Sequence, residues 1–165
     1  MKIGATIVVA VLVVLAASTQ YMVKRAREKV LCRNCEHQLR SLGAFFLAYP
    51  TENNGQLPSD LESLDKVDKE LIIRILVCPG TGHAPGGFTN MNSWVDYTFV
   101  DWSAILGTNA VPNDYPIVYD RRMSNHNGRG INILMVDGTV EWDSNAKWLK
   151  KFVAEHPNAK LPMPE

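Results

Sequence analysis

The first apolar run of the chain, Ile3–Val23, contains no charged residue and is dense in Val, Ile, Leu and Ala. Its roughly 21 residues at about 1.5 Å of rise each would reach about 30 Å, the thickness of a bilayer's hydrocarbon core. The pattern predicts a transmembrane anchor over 1–23. A cleaved signal peptide, with Lys2, Ile3–Ala17 and the small residues Ala16-Ala17-Ser18, competes with it but leaves the apolar run continuing past the cut. A buried core helix fits least, because a small domain rarely encloses a helix that is apolar all round. The helical reading then continues to Tyr49, where Pro50 is expected to stop it. Within 24–50 the apolar positions Leu31, Cys35, Leu39, Leu42, Phe46 and Tyr49 recur every three or four residues, which predicts one buried face. Cys35 lies on that stripe and Cys32 off it, so Cys32 should be the more exposed.

Beyond Pro50 the segment TENNGQLP reads as turn, and Ser59 with Glu62 makes a capping box ahead of a short helix in PSDLESLDK. Asp68–Val77 reads as a helix or as a helix running into a strand, and Thr81–Gly87 as a flexible loop. The period then changes. Trp94–Val100, Pro116–Tyr119, Ile131–Val136 and Thr139–Trp142 are β-rich runs, and Asp137-Gly138 is a two-residue hairpin signal in which both positions would take positive φ. Asp143 or Ser144 is expected to cap a last helix, Asn145–Glu155, before a loose tail, LPMPE. The fold class is therefore α+β: a long N-terminal helix on a small antiparallel sheet, with 51–165 as the globular head.

The 165 residues carry no net formal charge and a near-neutral pI, which argues against a nucleic-acid partner. Lys24, Arg25, Arg27 and Lys29 read as a membrane-flanking belt, which by the positive-inside tendency would place the head in the cytosol. Cys32 and Cys35 form a CxxC inside a helix with no second CxxC or CxxH, so thiol-redox chemistry and half a zinc site are both weaker than a structural reading. No Gly-x-Ser-x-Gly, His-Glu-x-x-His or phosphate-cradling Gly-Lys-Ser/Thr occurs, and no enzyme activity is expected. Asn125-His126-Asn127-Gly128 reads as a loop whose side chains bond local backbone, and two or three of the four tryptophans should be core.

The exposed helix AREKVLCRNCEHQLRSLGAFFLAY, the following NNGQLP, the Cys78-Pro79 step and the C-terminal NHNGRGINILMVDGTVEW together resemble the type IV pilin and type II secretion pseudopilin superfamily. They are most similar to a bacterial branch with a His-x(9)-Asp-Gly signature, here His126, Asp137 and Gly138. The helix cysteine of that branch matches Cys35, with Leu39, Gly43 and Tyr49 after it. The chain departs from the pattern in three places. Ten residues separate His126 from Asp137, Thr139 stands where a second His is usual, and a cut between Gly4 and Ala5 would put Val9 where pseudopilins carry Glu.

The resemblance implies a structural, membrane-anchored subunit of a secretion or pilus-like assembly. Its partners would be membrane lipid and other pilin-like subunits or itself, at the bacterial inner membrane, single-pass, with a periplasmic head. We expect a Cys35–Cys78 disulfide tying helix to head; closing a loop of about 40 residues would stabilise the fold by roughly 3–4 kcal/mol and needs an oxidising compartment. Related pseudopilins hold Ca²⁺ in strand loops, which makes Asp114, Asp120 and Asp137, with Asn113, candidate ligands. No alternating carboxylates of the EF-hand kind are present, and no cofactor is expected. The alternative is an extracytoplasmic binding domain for Ca²⁺ or a glycan, with no assembly role.

Overall fold

The computed structural model describes residues 2–53, 55, 57, 58, 60, 61, 63, 64, 69–106 and 111–165. Its elements are α1 (Lys2–Glu52), α2 (Lys69–Ile75), β1 (Tyr97–Phe99), α3 (Trp102–Leu106), β2 (Pro116–Asp120), β3 (Gly130–Met135), β4 (Val140–Ser144) and α4 (Lys147–Glu155). The expected α+β class holds: a long N-terminal helix and one antiparallel four-stranded sheet in the order β1-β2-β3-β4.

The sheet is covered on both faces, and the register says by what. Tyr97, Phe99, Val118, Asp120, Asn132 and Leu134 share the face turned to α1, because paired residues point the same way and alternate residues share a side. Against them lie Cys35, Leu39, Leu42 and Phe46, each at most 1% exposed, with Phe46 stacked on Phe99 at 5.6 Å between ring centroids. The stripe read from the sequence is thus the packed face. On the opposite side α4 contributes Leu149 and Phe152, and Phe152 joins Trp102, Tyr115 and His156 in an aromatic cluster. Asp143 caps α4 from upstream, its carboxylate accepting the backbone N–H groups of Trp148 (3.0 Å) and Leu149 (2.9 Å).

The expected membrane-spanning anchor over 1–23, and the single-pass inner-membrane placement that rested on it, are overturned. Among the described residues no helix is long and apolar enough to cross a membrane. The apolar side chains of α1 give way after Ala17 to Ser18, Thr19 and Gln20. Ser18 and Thr19 return their hydroxyls to the carbonyls of Val14 and Leu15, both at 2.8 Å. From Ile7 to Arg27 every described side chain is exposed, so the first half of α1 stands clear of the head. Contact begins with Glu28, which pairs with Arg129.

Smaller expectations are also corrected. Pro50 does not stop α1: it sits in the last turn, and its carbonyl accepts the N–H groups of Asn53 (3.2 Å) and Gly55 (2.8 Å). Asp68–Val77 resolves as helix, whereas the Ser59–Glu62 capping box lies outside the described residues. The tail is not loose. Glu165 donates to the Arg121 carbonyl (3.0 Å) and accepts from Met123 (2.8 Å), and the Tyr119 hydroxyl donates to the Pro162 carbonyl (2.6 Å). The expectation of two or three core tryptophans holds: Trp102 is buried in the core and Trp94 and Trp148 are half-buried against it, while Trp142 is exposed, because β4 is a sheet edge.

The β3–β4 hairpin forms where Asp137-Gly138 placed it, with a different turn. Gly138 donates to the Met135 carbonyl at 2.9 Å, Met135 donates to Thr139 at 2.8 Å, and only Gly138, at φ 84°, takes positive φ. This is a four-residue turn, Met135–Gly138, whose last residue is the left-handed glycine. A Cβ on Gly138 would meet Cδ1 of Leu47 at 2.7 Å, but Leu47 is exposed and can yield, so the backbone decides the cost. Gly138→Ala is expected to lower stability by about 1–2 kcal/mol. A urea midpoint that does not move would rule out this turn.

Candidate functional site

Four segments distant in sequence bring ionisable side chains to one buried point beneath α1. Cys35 comes from α1, Cys78 from the chain just after α2, Asp120 from the end of β2, and His126 from a 3₁₀ turn, Met123–His126, between β2 and β3. One ligand-type atom of each lies within 4.8 Å of the same atom in the other three, and all four side chains are buried.

Local structure explains each placement. Cys35 is on the packed stripe of α1. Cys78 is held by Asp96, which is fully buried and accepts the Cys78 N–H (2.9 Å) and the Thr81 hydroxyl (2.9 Å), while His83 Nε2 lies 3.0 Å from the same carboxylate. Gly80 is required next to it, because a Cβ there would lie 2.2 Å from the Asn125 carbonyl oxygen. Asp120 faces α1 by strand alternation, and its Oδ2 accepts from the Asn132 N–H (2.6 Å), Asn132 Nδ2 (3.2 Å) and His126 Nε2 (3.0 Å). The turn that carries His126 ends on Asn127 in a left-handed conformation, which aims the imidazole inward against Trp142.

The remaining contacts connect the cluster to its surroundings. Sγ of Cys35 lies 3.1 Å from the Tyr97 hydroxyl and 3.6 Å from Asp120 Oδ1. Sγ of Cys78 lies 3.9 Å from His126 Nε2 and accepts the Gly80 N–H at 3.4 Å. His126 Nδ1 lies 3.2 Å from Sγ of the half-buried Cys32. The hydrogen bond with Cys35 outweighs burial and lowers the Cys78 thiol to about 6. That same bond, with burial and the Asp120 charge, raises Cys35 far above the ordinary thiol range. Burial opposes a charge on His126, yet its hydrogen bonds to Asp120 and Cys78 raise it to about 10.

The structure brings together some of the residues singled out in the sequence and separates others. Cys35 and Cys78 are neighbours, but as free thiols rather than the expected disulfide: each sulfur has its own polar partners, and both share the pocket with Asp120 and His126. Asn125 and His126 are buried and bond groups outside the loop, which corrects their reading as a loop whose side chains bond local backbone. The three acidic candidates do not converge. Asp120 is in the cluster, Asp114 is exposed, and Asp137 is exposed in the hairpin turn with its Oδ1 accepting from Thr139 N (2.8 Å) and Oγ1 (2.6 Å). Those two Thr139 bonds hold the Asp137 carboxyl below its usual range. His126 and Asp137 lie beyond opposite ends of β3 and share no site. Cys32 and Cys35 face different partners, His126 Nδ1 and the Tyr97 hydroxyl respectively. Gly4 and Ala5 lie within α1.

A concavity of about 540 Å³ opens away from this cluster, between β1 and the C-terminal tail, lined by Leu61, Met91, Phe99, Arg121, Met163 and Glu165 among others. Comparison with protein-family models, with curated proteins and with solved structures gives no match for this chain.

Proposed function

We propose that this chain is a structural, non-enzymatic subunit that assembles through the first half of α1 with copies of itself, in the manner of the pilin-like proteins its sequence resembles. The observation that carries the reading is the exposed start of that helix. Ile7, Val8, Val11, Leu12, Val13, Val14 and Leu15 are each more than half exposed. At 100° per residue these positions point in every direction, and a helix apolar all round is stable in water only when it is surrounded. The head covers α1 only beyond Glu28, so the exposed apolar stretch that runs from Ile7 to Ala17 needs cover from outside the chain. Several neighbouring helices supply that; a single partner covers one side. Heterologous packing of such helices extends the assembly in one direction, while the heads, fixed to the far half of α1, stay outside.

Sedimentation of the full-length chain over a range of concentrations tests this. Large, concentration-dependent oligomers are expected, and Leu12→Glu with Leu15→Glu is expected to abolish them while the near-ultraviolet circular dichroism of the head is unchanged. A wild-type chain that sediments as a monomer at every concentration would end the proposal. The groove between β1 and the tail favours a second reading, a ligand-binding head; calorimetric binding of Ca²⁺ or a glycan by a chain that does not self-associate would support that instead.

A further inference from the structure

We propose that Cys35, Cys78, Asp120 and His126 form a structural site for a borderline-soft divalent metal, zinc above all, that fastens α1 to the head. This does not depend on the assembly role, because the cluster lies wholly within one chain.

Three observations carry the proposal. The first is donor chemistry. Two sulfurs, one imidazole nitrogen and one carboxylate oxygen are a four-ligand set suited to zinc and poorly suited to calcium, which takes six or more oxygens. The second is spacing. Metal–ligand lengths of about 2.0–2.3 Å place the corners of a tetrahedron about 3.3–3.8 Å apart. Cys35 Sγ to Asp120 Oδ1 is 3.6 Å and Cys78 Sγ to His126 Nε2 is 3.9 Å, with all four donors within 4.8 Å of one another. Only slight adjustment closes the shell.

The third is the surround, since every ligand has an outer partner that would orient it. Tyr97 Oη lies against the sulfur of Cys35, and the Gly80 N–H donates to that of Cys78. Asn132 engages Asp120 Oδ2, leaving Oδ1 turned toward Cys35. With Nε2 on a metal, His126 would carry its proton on Nδ1 and donate it to Cys32 at 3.2 Å. The CxxC of α1 thereby divides its work: Cys35 binds and Cys32 orients. Four protein ligands leave no coordination position for substrate, which makes the site structural rather than catalytic. Binding would engage two thiolates, a neutral imidazole and a carboxylate, with the displaced protons passing to solvent.

The test uses the full-length chain, reduced, stripped with a chelator and titrated with Co²⁺ alone. The expected result is one Co²⁺ per chain with the intense visible bands and sulfur-to-metal charge transfer of a tetrahedral thiolate site, erased by one equivalent of Zn²⁺. Cys78→Ser should lose the charge-transfer band, Cys32→Ala should bind about 10–100-fold more weakly, and His37→Ala, an exposed histidine outside the cluster, should bind as the wild type does. Zn²⁺ should raise the melting temperature of the wild-type chain relative to chelator. A reduced, folded wild-type chain that gives no such spectrum overturns the proposal without reference to any variant. So does a wild-type chain that closes a Cys35–Cys78 disulfide in the presence of excess metal, or a Cys78→Ser chain that keeps the full spectrum.

Discussion

Asp120→Ala is expected to cost about 3–5 kcal/mol of folding stability, measured by urea unfolding in the presence of chelator so that metal plays no part. Asp120 is fully buried and accepts hydrogen bonds from the Asn132 N–H, Asn132 Nδ2 and His126 Nε2. Alanine removes the acceptor that all three donors share, and His126 loses the negative charge that holds its proton. Each stranded neutral donor costs about 1–3 kcal/mol and a stranded charge more, although the losses overlap because the three donors share one oxygen. Asp120→Asn keeps an acceptor for the Asn132 N–H and should recover part of the loss. A loss below about 1 kcal/mol for the alanine variant would mean that water reaches the cluster, which would contradict its burial.

Phe46→Ala is expected to be comparably severe, about 3–5 kcal/mol, for a different reason. The ring is 1% exposed and stacks on Phe99, joining the last turns of α1 to the edge strand β1. Its removal opens a cavity that a rigid helix lying on a sheet cannot collapse to fill. Leu47, one position on and exposed, is the internal control: Leu47→Ala should change stability by well under 1 kcal/mol. Equal effects at the two positions would mean that α1 does not rest on the sheet with this face.

The half of α1 that meets the head was legible because helical periodicity is a local property. Spacing of three and four residues from Leu31 to Tyr49 identifies a buried face whatever covers it. The strands and the hairpin were legible for similar reasons, since β-branched runs and an Asp-Gly step carry their signal within a few residues. Expectations that required knowing the surroundings fared worse. The uncharged N-terminal run read as a membrane span because a count of uncharged residues gives Ser18, Thr19 and Gln20 the same weight as leucine. The tail read as loose because nothing within LPMPE announces that Arg121, Met123 and Tyr119 will bond it. The Cys35–Cys78 pairing brought the right residues together without their neighbours, Asp120 and His126.

The sequence by itself determined the class of the fold, the buried face of α1 and the order and approximate limits of its strands, because each depends on apolar spacing over one or two turns of chain. Only the tertiary structure decided that residues 35, 78, 120 and 126 meet. That meeting needs the β2–β3 register to turn Asp120 and Asn132 toward α1, Asp96 to hold Cys78 beneath it, and a left-handed Asn127 to direct His126 inward. Periodicity reports which side of an element is covered; it carries no information on which distant segment covers it, and a four-ligand cluster drawn from four segments exists only once that choice is made.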